Sequence, residues 1–114
     1  MAIPKGLLIQ IQQILELFCQ ARVPERVRNE VRLSFSVRGD SVTLFEERPR
    51  WNAPVQWISS KIAQFRYDHK TKQWSLHCRD RNDKWHDYLN IRPMKDFSVL
   101  LKEVDRDPTC IFWG

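Results

Sequence analysis

The sequence has little glycine and little cysteine, and it lacks long hydrophobic runs. Only three of its 114 residues are glycine, which excludes a glycine-rich phosphate-binding loop and a Gly-x-Ser-x-Gly elbow. The three cysteines lie far apart without a Cys-x-x-Cys pair, and this spacing predicts a reduced, cytoplasmic protein. No apolar run approaches the ~18 residues of a membrane helix. The sequence therefore predicts neither a membrane anchor nor a signal peptide.

Charged and hydrophobic residues are both plentiful. Nineteen basic residues against fourteen acidic ones leave a formal charge of +5, and 42% of the residues are hydrophobic. This composition excludes a disordered or collagen-like chain and predicts a single domain over residues 1–114. The excess of positive charge is compatible with nucleic acid or another polyanion as a partner.

Hydrophobic periodicity divides the chain into helices and strands. Apolar residues at helical spacing predict a helix near each end, and apolar residues at every second position predict strands between them. A stretch with two prolines and no clear period interrupts the strands and is predicted to be a loop. The predicted elements are helix 4–20, hairpin 30–48, loop 49–60, meander 62–90, helix 95–105 and tail 108–114.

The order of these elements predicts an α+β fold. The hairpin and the three-stranded meander would form one five-stranded antiparallel sheet, with the N-terminal and C-terminal helices packed on one face. In the hairpin, the turn at Gly39-Asp40 would place Val37 opposite Val42 and Phe35 opposite Leu44.

In the meander, the predicted pairs are Tyr67 with Trp74 and Arg81 with Lys84, and this register sorts the side chains into two faces. The apolar face would hold Ala63, Phe65, Tyr67, Trp74, Leu76, Cys78, Trp85 and Leu89. The polar face would hold Gln64, Arg66, Ser75, His77, Arg79, His86 and Tyr88.

Several short segments form a distinctive set: RGDSVTLFEERP at 38–49, FRYD at 65–68, WSL at 74–76, RDRN at 79–82 and IFWG at 111–114. Together they resemble a family of small bacterial proteins known only as a domain of unknown function. The likeness covers nearly the whole chain after the first helix. It implies a bacterial, cytosolic, stand-alone domain, and it supplies no activity, cofactor or catalytic residue.

The polar face is the main candidate for function. Arginine and lysine would contact phosphates, while histidine and tyrosine would stack on unpaired bases. The leading hypothesis is a non-enzymatic binder of single-stranded nucleic acid or RNA without a cofactor. The alternative is a solvated face whose charges keep the sheet in solution. The predicted binding residues are Arg66, His77, Arg79, Lys84, His86 and Tyr88.

A second hypothesis is a protein-interaction or homodimerisation module. Exposed aromatic side chains in the loop and the tail would form the contact. Against it stands the alternative that the loop covers the sheet edge and the tail packs as a last short strand. The residues concerned are Trp51, Trp57, Phe112 and Trp113.

A third hypothesis is a small metal-independent ribonuclease. His77 and His86 would share the roles of general base and general acid, with Arg79 stabilising the charged phosphate. No metal site is expected, because His77 and Cys78 are consecutive in a strand and point to opposite faces.

Overall fold

The structure is a computed structural model that describes residues 2–113, apart from the side chain of Pro54. The chain forms a five-stranded antiparallel sheet whose strands lie side by side in chain order, with one helix before the strands and one after them. This confirms the predicted α+β class. The elements are α1 Lys5–Arg22, β1 Arg32–Arg38, β2 Ser41–Arg50, β3 Ala53–Asp68, β4 Gln73–Arg79, β5 Trp85–Asp87 and α2 Phe97–Arg106.

Both helices pack their apolar sides on the same face of the sheet, which we call the inner face. From α1, Ile11 and Leu15 are buried. From α2, the ring of Phe97 lies 4.6 Å from that of Phe65 and 5.1 Å from that of Trp74, centroid to centroid. Among residues 2–113, neither helix combines the length and the hydropathy that a membrane-spanning segment needs.

Local signals explain where the helices begin and end. α1 begins directly after Pro4, whose missing N–H costs nothing at a helix start. At the start of α2, the Asp96 carboxylate accepts a hydrogen bond from the Ser98 N–H at 3.0 Å. α2 ends at Asp107, which adopts the left-handed conformation with φ 45°.

The registers of β1 with β2 and of β3 with β4 follow from their turns. Val37 lies opposite Val42, as predicted. Gly39 supplies the positive φ of 61° that a two-residue hairpin turn requires. Tyr67 lies opposite Trp74, again as predicted.

The prediction of a loop over residues 49–60 is wrong. β2 continues to Arg50, and β3 begins at Ala53, so only Trp51 and Asn52 lie between them. β1 pairs with β2 only as far as Glu47, which leaves one edge of β2 open beyond that point. Proline has no N–H to donate, and a strand edge without a neighbouring strand does not require one. Pro49 is therefore compatible with β2.

A β-bulge in β3 further obscures the periodicity. Leu44 pairs with Ala63, but the next residue, Phe45, pairs with Lys61, so Ile62 is an extra residue. The bulge reverses the alternation of side chains along β3. Ile62 and Ala63 are both buried, and Lys61 points to the opposite side of the sheet.

The register between β4 and β5 differs by one residue from the predicted one. Tyr88, not Leu89, lies beside Leu76, and the Tyr88 N–H donates to the Leu76 carbonyl at 2.9 Å. A shift of one residue moves each side chain to the other face. Leu89 is accordingly 90% exposed, and Tyr88 is buried. The predicted faces are wrong for Trp85, His86, Tyr88 and Leu89.

The turn between β4 and β5 causes this shift. The Asp80 carboxylate accepts hydrogen bonds from the N–H groups of Asn82 at 2.8 Å and Lys84 at 3.0 Å. The Asp80 N–H in turn donates to the Lys84 carbonyl at 2.9 Å. An aspartate that binds its own loop in this way makes a wider turn than the two residues assumed from the sequence.

The C-terminal tail packs against the helices, but it is not a strand within the described residues. The Asp107 carboxylate accepts from the N–H groups of Phe112 at 3.1 Å and Trp113 at 2.9 Å. The Trp113 indole N–H donates to the Val104 carbonyl at 2.7 Å, and the Arg22 guanidinium lies 3.9 Å from the ring centroid. Phe112 is buried.

Candidate functional site

The face of the sheet turned away from the helices is the candidate site, and we call it the outer face. Strand alternation, together with the bulge at Ile62, decides which side chains reach it. Most of them are small and polar, basic or aromatic. The residues used below are Arg32, Ser36, Arg38, Thr43, Phe45, Trp57, Lys61, Gln64, Arg66, Ser75, His77, Arg79, Trp85 and Asp87.

A hollow of about 310 Å³ lies on the outer face. Phe45 from β2 and Trp85 from β5 both line it, and both are half-buried. Arg38 and Lys61 are its two basic residues. The remaining lining residues are Ser36, Ser41, Thr43 and Gln64. The hollow therefore combines two aromatic rings, two cations and several hydroxyl and amide groups.

Two of the cations on this side of the molecule share one carboxylate. The Asp83 side chain accepts from Lys61 Nζ at 2.9 Å and from Arg79 Nη1 at 3.2 Å. The hydrogen bond from Lys61 is the main reason why the pKa of Asp83 lies below its usual value. Asp83 occupies a left-handed turn position with φ 64°. An internal anion thus already sits between these two cations.

A third cation covers an aromatic ring of the outer face. The Arg32 guanidinium lies 3.8 Å from the centroid of the Trp57 ring, a cation–π contact that holds the indole on the sheet. Trp57 is consequently half-buried, and it does not project from the molecule as the predicted partner contact requires.

His77 lies on the outer face as predicted, but its side chain is almost fully buried. Its relative exposure is 5%. Its two ring nitrogens contact Ser75 Oγ at 2.8 Å and Asp87 Oδ1 at 3.1 Å. Burial is the largest cause that lowers its pKa, the nearby Arg66 charge adds to this, and Asp87 opposes it. His77 is not available to stack on a base.

Tyr88 and His86 do not lie on the outer face. Tyr88 is buried against Phe112, with ring centroids 4.9 Å apart, and its hydroxyl donates to Glu103 Oε2 at 2.7 Å. His86 lies opposite Cys78, a buried residue of the inner face, and bonds to Asp80 Oδ2 at 2.7 Å. The one-residue error in register displaces both.

The ribonuclease hypothesis required His77 and His86 to face one phosphate. They point to opposite faces of the sheet, and each already has its own aspartate. The structure does not bring this pair together.

The other predicted binding residues remain accessible. Arg66 is exposed on the outer face, where its Nε donates to Gln64 Oε1 at 2.7 Å. Arg79 is partly exposed beside Asp83. Lys84 is exposed in the turn directly before Trp85. Three of the six predicted residues thus lie on or beside this surface in accessible positions.

The predicted partner residues also separate. Trp51 is 93% exposed at the tip of the hairpin between β2 and β3. Phe112 and Trp113 are held by Asp107 and pack against the body of the molecule. Of the four aromatic residues in this hypothesis, only Trp51 is fully available to a partner.

Sequence reasoning missed Phe45, Trp85 and Lys61. Phe45 alternates with Leu44, whose inward position assigns Phe45 to the outer face, and this signal was present in the sequence. Trp85 could be assigned correctly only through the Asp80 turn, and Lys61 only through the bulge.

Comparison with known proteins supplies a family but no function. The family model described as a domain of unknown function (DUF3024) matches residues 4–114. No curated protein and no solved structure matches the chain.

Proposed function

The chain belongs to this family, and we propose that it binds single-stranded nucleic acid on the outer face of its sheet. The observation that carries the proposal is the hollow, in which two half-buried aromatic rings and two cations line one space. Sheet surfaces that bind single strands combine the same two kinds of side chain.

The rings of Phe45 and Trp85 would stack on bases. Stacking on a protein side chain requires a base whose own face is free, which favours single-stranded over duplex nucleic acid. Every base has a face of this kind, so we expect little dependence on base sequence.

Cations around the hollow would hold the phosphates. Arg38 and Lys61 line it, while Arg66 and Arg79 occupy the neighbouring positions on β3 and β4. The carboxylate of Asp83 bridges Lys61 and Arg79, and a phosphate oxygen offers these cations the same charge and acceptor geometry. Binding would thus exchange an internal anion for an external one.

Titration of a fluorescently labelled oligouridine and an oligothymidine tests the proposal. Affinity should fall as salt is raised from about 50 to 200 mM, because bound counterions are released from the single strand. Trp85→Ala should weaken binding by about 1–3 kcal/mol, the range for one stacked base. Trp51→Ala is the matched control, since it removes an exposed tryptophan remote from the hollow.

A second pair of variants separates charge recognition from stacking. Lys61→Ala should reduce both the affinity and the slope of its salt dependence, whereas Lys102→Ala, on the exposed side of α2, should change neither. Absence of binding at low salt, or equal losses for Trp85→Ala and Trp51→Ala, would reject the proposal.

The hairpin tip supports a second candidate function, contact between two copies of the chain. Trp51 and Val55 are 93% and 91% exposed, and exposed apolar side chains at one tip are typical of interaction sites. Sedimentation of the chain and of a Trp51→Ser, Val55→Ser double variant tests this candidate. A concentration-dependent dimer that the double variant loses would support it, and a monomer at all concentrations would reject it.

A further inference from the structure

On the outer face, Ser75 is hydrogen-bonded to His77, and His77 in turn forms an ion-pair contact with Asp87. Ser75 Oγ lies 2.8 Å from His77 Nε2, and His77 Nδ1 lies 3.1 Å from Asp87 Oδ1. We propose that Ser75 is a nucleophile, activated by His77 and Asp87, that attacks esters with a short apolar acyl group. This inference does not depend on nucleic-acid binding.

The backbone explains why the three side chains meet. Ser75 and His77 are two residues apart in β4, so both point to the outer face. Asp87 lies directly opposite His77 in β5, where cross-strand side chains are neighbours. Regular strand geometry therefore holds the arrangement.

The two contacts determine the roles of the two ring nitrogens. The negative charge of Asp87, 3.1 Å from His77 Nδ1, favours the tautomer in which His77 Nδ1 carries the proton. His77 Nε2 then has a free lone pair and accepts from the Ser75 hydroxyl. The Arg66 carbonyl, at 3.4 Å from Ser75 Oγ, is the more distant acceptor. This is the order of contacts in which histidine acts as a general base toward serine.

The surroundings keep His77 neutral and ready to take a proton. The charged groups that face it are Arg66 on β3 and Asp87 on β5. Burial, the main cause, and the Arg66 charge lower the pKa of His77 from its usual 6.5, against the opposing influence of Asp87. At neutral pH the imidazole is therefore in its basic form.

A cavity of about 280 Å³ lies beside the serine, between the points beyond β5 where Tyr88 and Met94 hydrogen-bond to β4. Ser75 and Asp87 line it together with the apolar residues Leu76, Leu89, Ile91 and Pro93, and with Arg92. Apolar walls next to the nucleophile fit a short hydrocarbon acyl chain, and this lining is the basis for the proposed substrate class.

The same strand edge offers a donor for the oxyanion. The Leu76 carbonyl accepts from the Tyr88 N–H at this edge, and the N–H of an antiparallel-strand residue points to the same side as its carbonyl. The Leu76 N–H, directly after Ser75, is thus directed to the cavity edge. A backbone N–H in this position stabilises the negative oxygen of a tetrahedral intermediate.

The reaction would proceed in two balanced steps. Ser75 Oγ attacks the carbonyl carbon while its proton passes to His77 Nε2, and the bond to the alcohol oxygen breaks as that oxygen takes the proton. Water then attacks the acyl-serine, gives one proton to His77 Nε2, and releases the carboxylic acid as the proton returns to Ser75.

Incubation of the chain with p-nitrophenyl butyrate and with a fluorophosphonate, followed by mass spectrometry of its peptides, tests the inference. The fluorophosphonate forms an Oγ–P bond and releases fluoride, so it reports the nucleophile alone. We expect labelling at Ser75 and a burst of p-nitrophenolate. Ser59→Ala, which removes another serine of the outer face, should change neither.

Asp87→Asn should slow both reactions, and His77→Gln should slow them by about 100-fold or more, as for loss of a general base. The side chain of Asp87 is 75% exposed, so its substitution should leave the circular dichroism spectrum unchanged. The rate should also fall as the pH drops below the pKa of His77, because a protonated imidazole cannot accept the serine proton. Labelling of Ser75 no faster than that of Ser59, or equal rates in Asp87→Asn and the parent chain, would overturn the proposal.

Discussion

The two faces of the sheet use aromatic residues in different ways. On the inner face, Phe65 and Trp74 are completely buried beneath the helices. On the outer face, Phe45 and Trp85 are half-buried among polar side chains and cations. The same residue types therefore support folding on one face and present rings to solvent on the other, and register alone decides which role each has.

The test of this comparison with the largest expected effect is a matched pair of substitutions. Phe65→Ala should lower the free energy of unfolding by about 3–5 kcal/mol, because it opens a cavity in the core. Phe45→Ala, on the neighbouring strand, should cost much less and should instead weaken nucleic-acid binding. Urea unfolding and oligonucleotide titration measure the two effects. Equal losses of stability would show that both faces are core.

Removal of the tail contacts should have an intermediate effect on the inner side. Asp107→Ala deletes the acceptor for two backbone N–H groups and leaves a non-glycine residue at positive φ. We expect a loss of about 1–3 kcal/mol in unfolding free energy. Asp107→Asn retains one acceptor oxygen and tolerates the left-handed conformation, so its loss should be smaller. The reverse order in thermal unfolding would contradict the assigned contacts.

His77 provides a smaller, pH-dependent test, because it is a buried group on the outer face. Its folded-state pKa is lowered by burial and by Arg66, so the unfolded chain binds the proton more readily. The contribution of neutral His77 to the free energy of unfolding should be fully present above pH 6.5. It should be lost as the pH drops from 6.5 through the folded-state pKa.

Urea midpoints at neutral pH and near pH 5 measure this slope. His77→Gln should flatten it. A second decline is expected at lower pH, as the carboxylate of Asp80 is protonated between its ordinary pKa of 3.8 and about 2, a value set mainly by the His86 hydrogen bond. A slope retained in His77→Gln would assign the first decline to another group.

The smallest expected effect is a gain of affinity. Asp83→Asn removes the anion between Lys61 and Arg79, and asparagine accepts the positive φ of this turn. Oligonucleotide binding should tighten by a few-fold at most, because exposed ion pairs are weak. Asp40→Asn, in a different turn, is the charge-matched control. Weaker binding by Asp83→Asn would indicate that Asp83 orders the cations instead of competing for them.

The fold class could be predicted from the sequence because periodicity and turn chemistry agree along most of the chain. Gly39 at a two-residue turn leaves one register for β1 and β2, and the apolar alternation of Phe65 and Trp74 leaves one for β3 and β4. In these segments, local preferences and the buried face specify the same pairing.

The candidate site was predicted less well, because it depends on single-residue offsets. The Asp80 side chain widens one turn, and this alone exchanges the faces of Trp85 and Tyr88. The extra residue Ile62 likewise reverses which face the side chains of β3 occupy from Lys61 toward the hairpin tip. Such offsets arise from hydrogen bonds and packing between segments, and hydrophobic alternation within one segment does not reveal them.

The bulge at Ile62 makes the molecule sensitive to the exact length of one strand. With strict alternation, Lys61 would lie on the same side as Ala63, beneath the helices, and the hollow would keep a single basic residue. Loss or gain of one residue here would exchange the two surfaces of the hairpin all the way to its tip. Conservative substitutions in this segment should therefore be tolerated far better than insertions or deletions.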